Sequence, residues 1–561
     1  MSMTAFRIFG RVVDKKSRRG ISDLKIEAWD KDLILNDFLG STTTDSQGAF
    51  QIEFDSSDFQ ELSLDQHPDL FFKIFYKGKL LGSTEKSVLW NLKNQNQEVC
   101  LEIDAPTEDG GEKPVVRHGT VSLRTGYIPC SAFHEAGRFG RIFPFLPAFE
   151  QSDNFLIALG KKGGLMDEGS VDDAVGESTT IPSGFTFFGQ FIDHDITLDT
   201  TSSLERQNDP TAIRNFRTPL LELDSVYGLG REASPFLYDK NNPGKLLVGT
   251  AENSHDLPRN IQKTALIGDP RNDENLIISQ LQLAFLKFHN RVVDYLKERG
   301  VGGEELFSEA QHLVRWHYQW IILNEYLPLT VGKKVVDDIL QNGRKFYFWE
   351  TEPFIPIEFS VAAFRLGHSQ VRNRFRINDK LEEELFKLSF FDSVSPEQTI
   401  DWKYFFKIDA SKTPQFSKKL DSKIASVLLD LPIPIVSEDD NRRSLAVRNL
   451  LRGKSFNLPS GPAVAKVMGI KPLSESELGI EDFKEEAPLW FYILKEAELQ
   501  TAGESLGAVG GRLVAEVLIG LLQGDYMSYL KIDPCWQPSL PSAKPGEFYM
   551  ADLLKFAGVV D

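Results

Sequence analysis

The sequence predicts a multidomain protein in which a small all-β sandwich precedes a large, mainly α-helical domain. Residues 5–103 contain short stretches in which apolar and polar residues alternate, such as FRIFGRVVD and DLKIEAWD, a period typical of half-buried strands. From about residue 118 onward, longer segments carry apolar residues at helical spacing. Between these regions, DAPTEDGGEKPVVR is polar and rich in Gly and Pro, which predicts a linker at 104–117. The predicted domains are therefore 1–103 and 118–561.

Composition excludes several classes of function. The formal net charge of −18 leaves no basic surplus to neutralise nucleic-acid phosphates. Three cysteines, far apart and without a CxxC pair, favour neither a disulfide framework nor a zinc site. The N-terminus lacks the apolar region of a signal peptide, and no apolar run reaches the length of a membrane span. We expect a soluble protein that is cytoplasmic or exported by a route without a cleaved signal.

The predicted strands of the first domain end in turn signals. GSTTTDSQGAFQIEF predicts two strands joined by a Ser-Gln-Gly turn, and FFKIFYKGKLLGST predicts a hairpin around Lys77. The succession of GRVVD, LKIEAWD and TTTDSQGAFQIEF resembles the transthyretin-like or carboxypeptidase-regulatory-like sandwich. No catalytic constellation is visible here, so we expect an accessory or interaction module with an unknown protein partner.

The second domain is predicted from its apolar stripes and caps. The longest helix has Asn272 or Asp273 as its N-cap, an apolar stripe from Ile277 to Val292, and an end near Gly300. Further helices are predicted at 304–326, 359–371, 444–451, 512–522 and 550–556. A domain of this size is consistent with a large cofactor at its centre.

One segment, FTFFGQFIDHDITLDTT at 185–201, concentrates polar residues in an apolar setting. Gln190 and His194 are four residues apart and share one face of a helix, whereas Asp193 and Asp195 point elsewhere. His194 has no carboxylate on its own face, which suits a neutral base that takes up one proton and returns it.

A second histidine lies in the apolar segment FRLGHSQVRN. His368 has Arg365 one turn before it, and Gly367 leaves room for a flat, bulky group. A neutral imidazole here could be an axial ligand of haem iron, held by a neighbour for which Asn449 is the candidate. Arg271, in GDPRNDENL, could stabilise negative charge on a departing oxygen. Each of these residues alone is more often structural, and only their joint occurrence indicates a site.

Five segments together carry a family resemblance. They are GQFIDHDITL, TPLLELDSVYG, DPRNDE, AFRLGHSQVR and RNLLRGKSFNLPSG, in this order. Over roughly residues 118–561, the chain resembles the animal-type haem peroxidases of the peroxidase–cyclooxygenase superfamily and looks like a bacterial member.

The resemblance implies roles for the haem pocket. His194, Gln190 and Arg271 match the distal catalytic residues. His368 matches the proximal ligand of the haem iron, and Asn449 matches the residue that holds its ring. Asp193 and Glu274 match the two carboxylates that form ester bonds to methyl groups of haem b. Asn275 stands where one branch has the Met of a third link, so at most two links are implied.

A calcium site is implied in the same way. Its ligands are Asp195, Thr218, Leu220 through its backbone carbonyl, Glu222 and Asp224. Glu222 replaces the usual Asp and Asp224 a common Ser, but carboxylates still make a hard oxygen site for Ca²⁺.

The implied activity is the reduction of H₂O₂ through an oxyferryl intermediate that then oxidises a halide, thiocyanate or a small phenol. Two alternatives remain open. A fatty-acid dioxygenase of the same superfamily uses a Tyr three residues before the proximal His, where this chain has Arg365. A catalytically silent binding or adhesion protein would have kept the haem fold without activity, and the N-terminal domain motivates that alternative.

Overall fold

A computed structural model separates the chain into two units, Met1–Glu135 and Ala136–Asp561. The residues that it describes are 5–15, 19–30, 37–55, 68, 70–77, 79–84, 96–103, 139–198, 215, 217–242, 244–249, 253–303, 305–349, 352–388, 391–432 and 443–560. The predicted linker at 104–117 lies outside them, so the predicted domain boundaries remain a prediction.

The first unit is built from strands. They are β1 (Ala5–Asp14), β2 (Lys25–Asp30), β3 (Asp37–Thr43), β4 (Ala49–Asp55), β5 (Leu70–Tyr76), β6 (Lys79–Ser83) and β7 (Asn96–Ile103). One sheet has the order β4-β1-β7, with β1 antiparallel to β4 and parallel to β7. The other has the order β3-β2-β5-β6, all antiparallel. Residues of both sheets contribute to one apolar core.

Alternation along the strands explains that core. In β2 every second side chain is buried, including Ile26 and Ala28, and in β1 the buried side chains include Ile8 and Val12. The predicted hairpin around Lys77 is formed by β5 and β6. The prediction for residues 40–54 holds only in part, because β3 and β4 follow each other but belong to different sheets.

The second unit is mainly helical. Its helices are α1 (Asp153–Gly160), α2 (Gly184–Ile196), α3 (Asp224–Tyr227), α4 (Gly230–Ala233), α5 (Leu276–Lys297), α6 (Glu305–Ile321), α7 (Leu327–Val331), α8 (Lys333–Asn342), α9 (Gly367–Gln370), α10 (Leu445–Ser455), α11 (Gly461–Val467), α12 (Glu475–Leu478), α13 (Leu489–Thr501), α14 (Ala508–Gly524), α15 (Tyr529–Ile532) and α16 (Met550–Phe556). Its short strands are β8 (Phe139–Gly140), β9 (Glu177–Pro182), β10 (Ile355–Pro356), β11 (Arg374–Arg376), β12 (Glu382–Glu384) and β13 (Phe416–Lys418).

Helix α2 lies in the core of this unit. Phe188 and Phe191 on α2 pack against Phe285 on α5 and Tyr318 on α6, and the rings of Phe191 and Phe285 stack with centroids 4.4 Å apart. These four side chains are fully buried. The polar residues of α2 are therefore presented by a rigidly packed element.

The predicted start of α5 is wrong. Its N-cap is Asn275, whose Oδ1 accepts from the backbone N–H groups of Ile277 and Ile278. Asn272 and Asp273 lie instead in a 3₁₀ turn, Pro270–Asp273, that precedes the helix. The helix ends at Lys297, three residues before Gly300, whose positive φ of 85° ends the turn that follows.

The helix predicted at 359–371 is also wrong in part. The chain forms a π-helical turn (Glu358–Ala362), a 3₁₀ turn (Ala363–Leu366) and then the short α9. Ala362, with φ −129° and ψ −76°, breaks the regular path between the first two. His368 thus stands on a separate turn.

Other predicted bounds differ less. Ser444 caps α10, but the helix continues through Gly453 to Ser455, and α14 begins and ends beyond the predicted 512–522. The last helix has the predicted bounds. Among the described helices, none has the length and apolar character needed to cross a membrane.

Candidate active site

Helix α2 presents four of the predicted site residues. They are Gln190, Asp193, His194 and Asp195. The glycine before them, Gly189, faces Tyr326 so closely that an added Cβ would lie 2.5 Å from the tyrosine hydroxyl oxygen. A larger residue at this position would force Tyr326 to move.

His194 is buried, with a side-chain partner that the sequence did not indicate. Its Nδ1 lies 2.7 Å from Oδ1 of Asn272, in the turn that also carries Arg271. Burial, assisted by the charge of Arg271, lowers the pKa of His194 to about 3. The imidazole is therefore neutral at physiological pH and can accept a proton.

Arg271 lies beside His194 and is held by Asp269. Its Nη2 donates to Oδ2 of Asp269 at 2.8 Å and to the backbone oxygen of His194 at 3.1 Å. Arg217 approaches the same Asp269 oxygen at 2.6 Å. Burial by itself would raise the pKa of Asp269, but the hydrogen bond and charge of Arg271 hold it well below its usual range. The carboxylate thus fixes two guanidinium groups.

Two further carboxyl groups, those of Asp193 and Glu274, lie in this region. The amide nitrogen of Gln190 donates to Oε1 of Glu274, and Thr197 donates its hydroxyl to Oδ1 of Asp193 at 3.1 Å. Burial raises the pKa of Glu274 to about 7 and raises the pKa of Asp193 as well. Burial thus disfavours the charged form of both carboxyl groups.

His368 on α9 is held by Asn449 on α10. The amide nitrogen of Asn449 lies 2.7 Å from Nδ1 of His368, and Arg365 donates to the amide oxygen at 2.6 Å. A guanidinium can only donate, so the amide oxygen faces Arg365 and the amide nitrogen faces His368. Burial, and next the charge of Arg365, lower the pKa of His368 to about 3. In this arrangement Nδ1 accepts and Nε2 carries the proton.

Helices α2 and α9 pack against each other in the second unit. The charge of Arg365 lowers the pKa of Asp193, although burial raises it more. At Gly367, an added Cβ would meet no atom within 4 Å except the backbone oxygen of Thr186, at 4.0 Å. The structure thus brings the two predicted halves of the site together and leaves space beside His368.

Two of the predicted calcium ligands, Glu222 and Asp224, lie near a third, Asp195. Its Oδ2 accepts from the backbone N–H of Leu223 at 3.0 Å and from the hydroxyl of Tyr318 at 3.3 Å. Burial, and next the charge of Asp224, raise the pKa of Asp195 to about 8. Burial, and next the charge of Glu222, raise the pKa of Asp224 to about 7.

The other predicted ligands lie in the segment that leads into α3. Thr218 donates its hydroxyl to Oδ2 of Asp224 at 3.0 Å. Leu220, two residues after Thr218, is half-buried. Glu222 is buried, with Oε2 3.8 Å from a guanidinium nitrogen of Arg315. Over the described ranges, no set of three or more His, Cys, Asp and Glu side chains is already arranged to hold a metal ion.

Sequence reasoning missed the residues that support this site. They are Arg217, Asp269, Asn272 and Gln282. Asn272 was assigned to a helix cap, although its place directly after Arg271 could have suggested a role in the site. Gln282 gives a signal only as a polar residue within an apolar helix, because its partners are distant in sequence.

Comparison with known proteins identifies the family of the chain. Residues 202–487, just over half of the chain, match the family model described as animal haem peroxidase. This range includes Arg271, Glu274, His368 and Asn449, and it begins after α2.

Curated relatives and solved structures are similar to parts of the chain. A chorion peroxidase of Aedes aegypti is 23% identical over 303 residues, which are 51% of this chain and 37% of the relative. A chorion peroxidase of Drosophila melanogaster is 33% identical over 120 residues, which are 20% of this chain and 15% of the relative. The chain thus spans well under half the length of these relatives.

Structural neighbours show the fold. Peroxidase A from Dictyostelium discoideum has a TM-score of 0.53 at 15% identity, over 71% of this chain and 89% of that one. An Oryza sativa fatty acid alpha-dioxygenase has a TM-score of 0.50 at 14% identity, over 70% of this chain and 76% of that one. The second unit has a peroxidase-type fold, and with more than half of its sequence matched by the family model, the chain belongs to the animal haem peroxidase family.

Proposed function

We propose that the chain is a haem-dependent peroxidase that reduces H₂O₂ and oxidises a small electron donor: a halide, thiocyanate or a phenol. The observation that carries this proposal is the pair of neutral imidazoles, buried His194 and half-buried His368, on the adjoining helices α2 and α9. One imidazole could bind iron while the other acts on a peroxide. Two relatives and one structural neighbour that bear the name peroxidase support the same activity.

The residues present fit a haem group. A Cβ added at Gly367, beside His368, would meet no side chain, and the carboxyl groups of Asp193 and Glu274 lie on α2 and against Gln190 of α2. Haem, when bound, supplies the redox chemistry that takes oxidising equivalents from H₂O₂ and passes them to a donor. The protein supplies orientation, proton transfer and exclusion of water.

On the peroxide side, His194 takes a proton from one peroxide oxygen and returns it to the other. Its low pKa keeps it neutral before this step. Arg271 stabilises the negative charge that develops, and Asp269 holds the guanidinium in position. Gln190 can bind water or an anion in the pocket through its amide.

On the ligand side, His368 would bind the iron and Asn449 would hold its ring. With Nδ1 accepting from the Asn449 amide, Nε2 carries the single ring proton, which would have to move to Nδ1 before Nε2 could bind a metal ion. The amide oxygen of Asn449 would then have to face the ring, where it can accept from Nδ1 as well as from Arg365.

We also infer that Asp193 and Glu274 form ester links to haem b. Both carboxyl groups hold raised pKa values, and an ester removes their buried charge altogether. Haem should stay with the chain in acidified organic solvent after peroxide treatment. Complete extraction would contradict the links.

Calcium is proposed at Asp195, Thr218, Leu220, Glu222 and Asp224. Support comes from the raised pKa values of Asp195 and Asp224, because buried carboxylates that repel one another favour a cation between them. The hydroxyl of Thr218 adds a neutral oxygen beside Asp224.

The test is turnover by purified, haem-loaded full-length protein with H₂O₂ and either ABTS or a phenol. We expect peroxide-dependent oxidation, and a change in the haem absorbance when H₂O₂ is added alone. Full haem loading without turnover would overturn the proposal and favour the catalytically silent binding protein.

A fatty-acid dioxygenase is the second candidate, because one structural neighbour carries that name. Position 365, three residues before His368, holds an arginine that binds Asn449 rather than a tyrosine. Oxygen uptake with a polyunsaturated fatty acid in the absence of peroxide would favour this candidate over the peroxidase.

For the N-terminal unit we propose a transthyretin-like sandwich that serves as an accessory module, because its two sheets contribute to one core. An experimental structure in which the two sheets do not face each other would contradict the sandwich. We further propose a bacterial branch of the family for the chain, on its sequence segments alone; a sequence tree that groups it with the animal relatives would contradict that.

A further inference from the structure

A hydrogen-bond chain of buried amides begins at the ring of His194. Nδ1 of His194 lies 2.7 Å from Oδ1 of Asn272, and Nδ2 of Asn272 lies 2.8 Å from Oε1 of Gln282 on α5. The chain ends where Nε2 of Gln282 donates to the backbone oxygen of Ser225 at 3.2 Å. The four residues come from α2, the 3₁₀ turn before α5, α5 itself and α3.

The last acceptor fixes the direction of every bond before it. A backbone carbonyl can only accept, so Gln282 must turn its amide nitrogen to Ser225 and its oxygen to Asn272. That oxygen also only accepts, so Asn272 turns its nitrogen to Gln282 and its oxygen to His194. The oxygen of Asn272 in turn needs a donor, which places the ring proton of His194 on Nδ1.

Burial removes the alternative that water could fill these contacts. Asn272, Gln282 and Ser225 are 0% exposed, and His194 is 5% exposed. A reversed amide would place two donors or two acceptors together inside the protein, at a cost of about 1–3 kcal/mol for each group left unsatisfied. The hydrogen-bond chain thus favours a single position for the ring proton of His194.

We propose that Asn272 and Gln282 are positioning residues that keep the proton of His194 on Nδ1 and leave Nε2 as a bare acceptor. The use of that acceptor on peroxide rests on the proposed function, but the tautomer does not. The same chain ties His194 to α3, which begins with the proposed calcium ligand Asp224.

The direct test reads the tautomer by NMR. Full-length protein labelled with ¹⁵N-histidine is measured by long-range ¹H–¹⁵N correlation, in the diamagnetic reduced carbon monoxide form if haem is bound. The His194 signals are assigned by their loss in His194→Gln. We expect a protonated Nδ1 and a bare Nε2 in the wild type, and a proton on Nε2 would overturn the proposal.

Variants test whether the two amides are responsible. Asn272→Leu and Gln282→Leu should lose the single Nδ1–H form, because each removes one amide of the hydrogen-bond chain. Gln280→Leu is the control for Gln282→Leu, because Gln280 is a buried amide on α5 that donates to the backbone oxygen of His255 instead. An unchanged Nδ1–H form in both leucine variants would overturn the assignment.

Kinetics supply the second readout. In haem-loaded Asn272→Leu, we expect the reaction with H₂O₂ to slow by about 10- to 100-fold at unchanged haem content. A rate equal to that of the wild type would overturn the positioning role. If the wild type shows the Nδ1–H form but no turnover, the proposed function fails while the tautomer stands.

Discussion

His194 and His368 are both neutral imidazoles, yet their Nδ1 atoms bond in opposite senses. His194 donates from Nδ1 to an amide oxygen, whereas His368 accepts at Nδ1 from an amide nitrogen. The difference comes from the far end of each contact, a backbone carbonyl in one case and the guanidinium of Arg365 in the other. Two histidines of the same charge therefore carry their proton on different nitrogens, Nδ1 in His194 and Nε2 in His368.

Alanine at each of these histidines should separate ligation from catalysis. His368→Ala should abolish or strongly weaken haem binding, because the iron loses its protein ligand. His194→Ala should bind haem normally but react with H₂O₂ about 10²–10⁴-fold more slowly, because a positioned acid–base group is missing. The Soret band measures the first effect and stopped-flow absorbance the second.

Each variant is the control for the other. A normal Soret band in His368→Ala would show that another residue is the ligand. An unchanged rate with peroxide in His194→Ala would remove that residue from the reaction.

At the scale of elements, the segment from Glu358 to Gln370 is divided where local periodicity predicts one helix. The carboxylate of Glu358 accepts from the backbone N–H groups of Ile142 and Phe143 at 3.1 Å, and the backbone oxygen of Arg365 accepts from the indole of Trp490 at 3.3 Å. These long-range bonds hold the ends of the two irregular turns. Such π-helical irregularities often occur at functional sites, and here one precedes His368.

Helix α14 depends on a carboxylate from the preceding helix. Oε2 of Glu496, on α13, accepts from the backbone N–H groups of Val509 and Gly510 at 2.9 and 3.2 Å. Those donors belong to the first turn of α14, where a helix has no internal acceptors for them. Burial nevertheless raises the pKa of Glu496 to about 7 from an ordinary 4.5.

Stability should therefore depend on pH through Glu496. Because its pKa is raised by folding, the folded state binds more protons than the unfolded state between about pH 4.5 and 7, and the contribution is lost as pH rises through 7. Glu496→Gln removes this loss. When the pH is raised from 5 to 8, the free energy of unfolding of the wild type should fall by about 2 kcal/mol more than that of Glu496→Gln. Denaturant titration at each pH gives the measurement.

The matched control is Glu477→Gln, at the cap of α12. Its hydrogen bonds from Ser474 lower the pKa of Glu477, so its contribution is lost only as pH falls and stays constant from pH 5 to 8. Equal pH profiles for Glu496→Gln and the wild type would show that Glu496 does not titrate in this range.

Across the whole second unit, one loop, residues 217–225, links the separate parts of the site. It contacts α2 where the backbone N–H of Leu223 donates to Asp195, and it contacts α5 where Gln282 donates to the backbone oxygen of Ser225. Arg217 of the same loop donates to Asp269. His194 and Arg271 are each connected to this loop by one of these routes. A cation bound among the loop carboxylates would stabilise all of these connections.

Calcium should accordingly raise the stability of the unit. Free Ca²⁺ at 100 times its dissociation constant adds about 2.7 kcal/mol to the free energy of unfolding if it binds only the folded state. We expect a higher Tm with Ca²⁺ than with a chelator, and loss of this increment in Asp195→Asn. Differential scanning calorimetry gives the measurement.

The control for a buried carboxylate outside the loop is Asp552→Asn. Asp552 accepts from the backbone N–H groups of Ala543 and Tyr549, so its loss should lower Tm while leaving the calcium increment intact. A Tm that does not respond to Ca²⁺ in the wild type would contradict the proposed site.

The sequence by itself determined the elements and the residues that stand on them. Alternation set the strands of the first unit, and the spacing from Gln190 to Asp195 placed four polar residues on one helix. These features follow from the local periodicity of apolar and polar residues, which a short stretch of sequence contains. The predicted roles of these residues rested on resemblance and remain proposals for experiment.

Only the tertiary structure decided how the site is held. The partners of His194 and His368 lie 78 and 81 residues away, and Glu496 caps a helix that begins after it in the chain. Local periodicity carries no information about such contacts, which form when packing brings distant segments together. Proton positions, the break before His368 and the pairing of Arg271 with Asp269 all depend on that packing, because a buried polar group must find its partner wherever the fold provides one.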